Sequence, residues 1–202
     1  MIKKIKMLYF IILFIIFALS FATIFWLAIP KFLEQPKYTI IVDEGKFQVR
    51  NYEKLLLSQI QVSGAQKEAL RKGFIPLARF IGAKDRDGEK ISMTVPVMQK
   101  VNRLSSDWSV SFFMPSKYNL QSLPKTTNLQ IESKIIPTKM FAALKFSGNP
   151  SHETLTQKET ELSKILKKYG FHAVDDAIYA FYNDPLTPAF LRRNEVLIEV
   201  KK

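Results

Sequence analysis

Cysteine is missing from all 202 residues, which excludes disulfides and thiol chemistry. Histidine occurs only as His152 and His172, so a zinc site would need carboxylates to complete it, an uncommon ligand set. Neither histidine stands beside a serine and an acid in a triad pattern, and no nucleophile elbow or paired-carboxylate signature occurs. The sequence is therefore read as a binding protein and not an enzyme. There is no block of five like charges and no nucleic-acid motif, so the formal charge of +12 is not read as a nucleic-acid footprint. A basic surface of this kind suits anionic lipid, an acidic ligand or plain solubility. Asp85-x-Asp87-Gly88 opens like a calcium loop but lacks the further carboxylates, and reads as a turn.

Charge is also absent from Met7 to Pro30, a stretch dense in Phe, Ile and Leu. At about 1.5 Å per residue it is long enough for a hydrocarbon core of roughly 30 Å. Lys3, Lys4 and Lys6 precede it and put the N-terminus in the cytoplasm, with Tyr9 and Trp26 near the two interfaces. A cleavable signal peptide ending near Ser20-Phe21-Ala22 is the competing reading, but the apolar run continues past that site. The expectation is a single-pass anchor over residues 1–30, a stiff tether over 31–37 and an extracytoplasmic domain over 38–202, periplasmic if the source is a bacterium.

Within that domain, alternating or β-branched runs predict strands at 38–42, 46–52, 55–62, 91–97, 108–114, 129–136, 140–146, 178–182 and 194–200. Pro96 moves the fourth of these to an edge or a bulge. In the last, Val196, Ile198 and Val200 share one face and Glu195 and Glu199 the other. Leu70, Phe74, Leu77, Ala78 and Ile81 make an apolar stripe on a helix over 66–81, stopped by Gly82. A second helix runs over 151–169, with Ser151 or Thr154 as cap and Gly170 at its end. Strands, helix and strands occur twice, an internal duplication of architecture. The fold class expected is α+β: a distorted antiparallel barrel of about eight strands with two helices packed outside.

Residues 182–196 contain Pro185 and Pro188, which stiffen a loop that also carries Leu186, Phe190 and Leu191. These side chains either close the core or meet an apolar ligand. Arg192 and Arg193 beside them suit a planar molecule bearing carboxylates.

Four segments resemble the SOUL haem-binding protein family. Phe47-Gln48-Val49-Arg50-Asn51-Tyr52 is similar to its Tyr-Glu-Val-Arg-x-Tyr, and Met93-Thr94-Val95-Pro96-Val97 to its Met-Thr-x-Pro-Val. Phe112-Phe113-Met114-Pro115-x-x-Tyr118 resembles Phe-x-Met-Pro-x-x-Tyr. Tyr182-Asn183-Asp184-Pro185, leading through Arg192-Arg193-Asn194-Glu195, resembles the C-terminal signature. The resemblance implies haem or another tetrapyrrole as ligand, bound in a groove between the first helix (Arg71, Phe74, Leu77, Ala78) and the proline loop (Leu186, Phe190). Arg71 or one of Arg192 and Arg193 would meet the propionates. Some members carry a histidine where this chain has Asn51, so strong axial ligation of iron is not expected, with His172 or Tyr182 as the fallback ligand. The alternative is a membrane-tethered interaction or lipid-binding module without haem.

Overall fold

The computed structural model describes residues 6–7, 10–18, 20, 30, 32–103, 105 and 107–202. It divides into two units, residues 1–33 and 34–202. In the first, residues 10–18 are helical. The anchor expected over 7–30 falls in good part outside the described residues, and among those described no helix is long and apolar enough to cross a membrane.

The second unit is built on ten strands: β1 Tyr38–Glu44, β2 Phe47–Tyr52, β3 Leu55–Val62, β4 Val97–Asn102, β5 Asp107–Phe113, β6 Ile131–Ile136, β7 Lys139–Phe146, β8 His172–Ala173, β9 Ile178–Phe181 and β10 Asn194–Lys201. Helix α1 (Gln66–Ile81) lies between β3 and β4 in the chain, and α2 (His152–Tyr169) between β7 and β8. The strands pair antiparallel in the order β1-β2-β7-β10-β9-β4-β5-β3-β6, with β8 also on β10. The expected barrel is not formed. β1 pairs only with β2 and β6 only with β3, and the ends of the sheet do not meet. β1 is mostly exposed and carries a bulge between Ile40 and Val42, features that turn an edge away from further pairing.

The duplication is visible in this order. β3-β5-β4 under α1 and β7-β10-β9 under α2 repeat each other, joined at β4 and β9, and each half lends one strand (β2 or β6) to the other. Two further details differ from expectation. The strand expected over 91–97 begins only at Val97, because Pro96 has no N–H for a ladder; Thr94 instead donates its hydroxyl to Phe113 O at 2.6 Å. The stretch read as a tether over 31–37 is also not free along its whole length, since Val95 N donates to Glu34 O at 3.0 Å and Ser116 N to Glu34 Oε1 at 2.8 Å.

Both helices cover the same face of the sheet. Leu155, Leu162 and Leu166 of α2 are buried on Val49, Ala142, Leu144, Val196 and Ile198. Full burial of each such side chain contributes about 1.5–3 kcal/mol. Ser151 Oγ accepts from Thr154 N at 3.2 Å, and Gly170, at φ 71°, ends α2 in the left-handed conformation.

Helix α1 is rotated relative to its expected stripe. Its buried side is Gln66, Ala69, Gly73, Leu77, Phe80 and Ile81, while Phe74 is exposed and Ala78 half-buried. The reason is close approach: a Cβ on Gly73 would sit 2.5 Å from Val110 Cβ. Only glycine lets the helix settle on β5 along this side, which turns Phe74 toward the rim.

Candidate functional site

Three of the four segments quoted above converge at one end of the sheet, where β5 and β9 end and β4 and β10 begin. The register there sets a row across the helix-bearing face. Phe112 pairs with Val97, Val97 with Phe181, and Phe181 with Asn194. At about 4.8 Å per strand the row is roughly 14 Å long. Phe112, Phe181 and Asn194 are buried and Val97 is half-buried, so the row is apolar except at its Asn194 end.

Each end of the row carries one of the walls expected from sequence. At Phe112 stands Phe74 of α1, edge-on with ring centroids 5.4 Å apart. Arg71, one turn earlier on α1, is exposed. At Asn194 stands the proline loop: Asn194 Nδ2 donates to Gly148 O at 3.2 Å, and Gly148 N to Ala189 O at 2.9 Å. Ala189–Leu191 form one turn of 3-10 helix, and Leu186, Phe190 and Leu191 are exposed. The loop holds itself together. Arg192 Nε donates to Thr187 O and Nη2 to Pro185 O, both at 2.7 Å, while Asp184 Oδ1 accepts from Leu186 N at 2.7 Å.

Not every expected site residue lies at this end. Leu77 is fully buried beneath α1 and supports the wall without reaching its surface. His172 pairs with Lys201 at the far end of β10, about seven residues or 24 Å along the strand from Asn194. Tyr182 is buried on the other face of the sheet, donating to Glu195. The strands flanking the row therefore present no histidine to it. Surface hollows of about 650 Å³ on the outer face of α2 and about 790 Å³ beside Arg79, Asp85 and Lys125 are lined by polar and charged side chains.

The fourth segment works on the opposite face. Arg50 and Glu195, on β2 and β10, are both completely buried and form a two-pronged ion pair, Nη1 to Oε2 at 2.7 Å and Nη2 to Oε1 at 3.1 Å. Arg50 Nε donates to Gln48 Oε1 at 2.9 Å and Nη1 to Tyr52 OH at 2.9 Å. Arg193 Nη2 donates to Glu195 Oε1 at 2.8 Å, and its guanidinium lies 3.7 Å from the centre of the Tyr182 ring. Burial alone would raise the Glu195 carboxyl, but the bonds from Arg50 and Arg193 outweigh it and hold it below the usual range. Burial, with the Glu195 charge beside it, pushes Tyr182 well up, and burial pushes Tyr52 up to about 12. Among the described residues no buried side-chain polar atom lacks a partner.

This pairing was not foreseen: Glu195 was assigned to the polar face of the last strand. The available signal was an arginine inside the β2 run and a glutamate inside the β10 run, opposite charges in segments otherwise built for a core. Arg193, expected near a ligand carboxylate, is committed to Glu195 and also donates to Gln35 Oε1 at 3.2 Å.

Among solved structures, the EcmrR C-terminal domain shares 10% identity over 82% of this chain and 98% of its own, with a TM-score of 0.59. A hydrolase from Listeria innocua shares 10% identity over 80% of this chain and 94% of its own, with a TM-score of 0.55. At such identities the likeness is one of fold. No curated protein sequence matches significantly. The profile of the SOUL heme-binding protein family matches residues 33–199, both helices and all of the sheet but the last two residues of β10. With the four segments gathered in the second unit, this chain belongs to the SOUL heme-binding protein family.

Proposed function

We propose that this protein binds haem or a related tetrapyrrole non-covalently, at the outer face of a membrane that holds its N-terminal run. Family membership supplies the ligand class. The observation that supports this location is the largely apolar row of about 14 Å, with exposed Phe74 beside Phe112 at one end and, at the other, the proline loop that is tied to Asn194 through Gly148 and carries exposed Leu186 and Phe190. Its residues fit such a ligand: an apolar floor and walls for the macrocycle, and the exposed Arg71 guanidinium, one helical turn from Phe74, for a propionate. Iron, where present, brings redox and axial-ligand chemistry of its own. The strands around this row supply apolar contact, each Å² removed from water contributing about 25 cal/mol. Recognition, not catalysis, is the role these side chains support.

Hemin titration of the full chain, followed at the Soret band, tests the reading. Phe74→Asp is expected to weaken binding by at least tenfold, about 1.4 kcal/mol. Arg71→Glu should weaken it less, through the propionate alone. Unchanged affinity in both variants would remove the site from α1. The exposed trio Leu186, Phe190 and Leu191 favours a second reading, a membrane-side interaction module without tetrapyrrole, and that reading predicts no saturable Soret change at all.

A further inference from the structure

The proline loop has properties that ligand binding does not require. Leu186 and Phe190 are 82% and 75% exposed and Leu191 48%, three large apolar side chains on one eleven-residue loop. Scattered exposed apolar residues need no explanation, but a cluster on a stiff protrusion does. The polar groups of the loop are turned inward. The carbonyls of Pro185 and Thr187 accept from Arg192, the Asp184 carboxylate takes Leu186 N and Thr187 Oγ1, and Arg193 N at the base donates to Asn183 Oδ1 at 2.8 Å. A segment that satisfies much of its own backbone and shows apolar side chains outward is suited to a low-dielectric boundary, where unpaired backbone groups are costly.

The chain path points to the boundary. Arg193 at the base of the loop donates to Gln35, and Gln35 is only the fifth residue after Pro30, the end of the uncharged run. Fully extended, those five residues span at most about 18 Å. A bilayer that holds the run therefore has its surface within reach of the loop.

We infer that residues 183–193 form an apolar tip that seats in the outer membrane–water interface, with Leu186, Phe190 and Leu191 among the upper acyl chains and the Arg192 guanidinium at headgroup level. This rests on the membrane-anchor part of the proposed function and is independent of the tetrapyrrole. It places the loop end of the apolar row beside lipid, so that an apolar, carboxylate-bearing ligand passes between protein and bilayer without crossing bulk water.

Because the chain lacks cysteine, any introduced cysteine is a unique labelling site. The test is spin labelling of the full chain in vesicles of phosphatidylethanolamine and phosphatidylglycerol, without haem. The labelled positions are Leu186→Cys, Phe190→Cys and, at the opposite end of β10, Lys201→Cys. The expected result is a ratio of oxygen to nickel-chelate collision rates severalfold higher at 186 and 190 than at 201. Equal, water-like ratios at all three positions would overturn the inference. Alkaline carbonate extraction of the same vesicles reports the anchor separately. Lipid-like ratios in an extractable chain would uphold the loop and refute the anchor, and water-like ratios in a resistant chain would do the reverse.

Discussion

Helices α1 and α2 hold equivalent places in the two halves of the sheet, yet they present different outer surfaces. Helix α2 is capped at both ends, buries Leu155, Leu162 and Leu166, and shows no large exposed apolar side chain. Helix α1 has no side-chain cap at Ala65, contains Pro76, seats on Val110 through Gly73, and leaves Phe74 and Ile75 exposed. The half under α2 also includes β10, whose Glu195 is locked to Arg50, where the matching strand β5 carries Ser109 and Ser111. The two halves share one arrangement of strands, but α2 shows a polar outer face and α1 an apolar rim. The difference puts an exposed apolar helix rim in one half, and the buried Arg50–Glu195 pair together with the exposed proline loop in the other.

Removing one member of the buried pair breaks that comparison most severely. Arg50→Met leaves Glu195 with only Arg193 and the Tyr182 hydroxyl to offset its burial, and is expected to lower unfolding stability by about 3–5 kcal/mol. Urea denaturation of the variant measures this, and Arg50→Met with Glu195→Met together should recover a substantial part. If the single variant were as stable as the parent, the pair would not anchor the α2 half.

A smaller effect follows from pH. The carboxyl of Glu195 titrates lower in the folded chain than in the unfolded one, where it has its ordinary value near 4.5. Its contribution to stability is therefore present above that value and lost as pH falls through the folded one. Tyr52 behaves with the opposite sign: its contribution is complete below its ordinary value of 10 and is lost as pH rises through about 12. Thermal melts across both ranges should lose stability at each end, and the acid loss should shrink in the Arg50→Met, Glu195→Met double variant, with the remainder due to other lowered carboxyls such as Asp175.

Much of this was legible in the residues. The 66–81 helix coincides with α1 because Gly64 and Gly82 bracket a 3.6-residue pattern, and α2 followed from Ser151 and Gly170 in the same way. What was not legible depends on neighbours distant in sequence. Alternation in a strand gives its faces but not its partners, so whether β1 and β6 meet could not be read, and an open sheet replaced the expected barrel. The same rule placed Glu195 outward, because a charge in an alternating run is ordinarily solvated. Its burial depends on Arg50, 145 residues away. Periodicity puts Phe74 on the apolar stripe, but Gly73 beside it determines which side of the helix approaches the sheet, and Phe74 is exposed. Phe74 stands beside Phe112 and the proline loop is tied to Asn194 through Gly148, whereas His172 lies at the other end of β10, a separation invisible until the register was known.

The most direct test of the central claim compares hemin with iron-free protoporphyrin on the full chain, by absorbance titration against a control protein. An apolar groove without an axial histidine predicts saturable, near-stoichiometric binding of both with similar affinity. Binding of hemin alone would contradict it by requiring an iron ligand that the strands around the row do not supply, and binding of neither would refute the tetrapyrrole assignment.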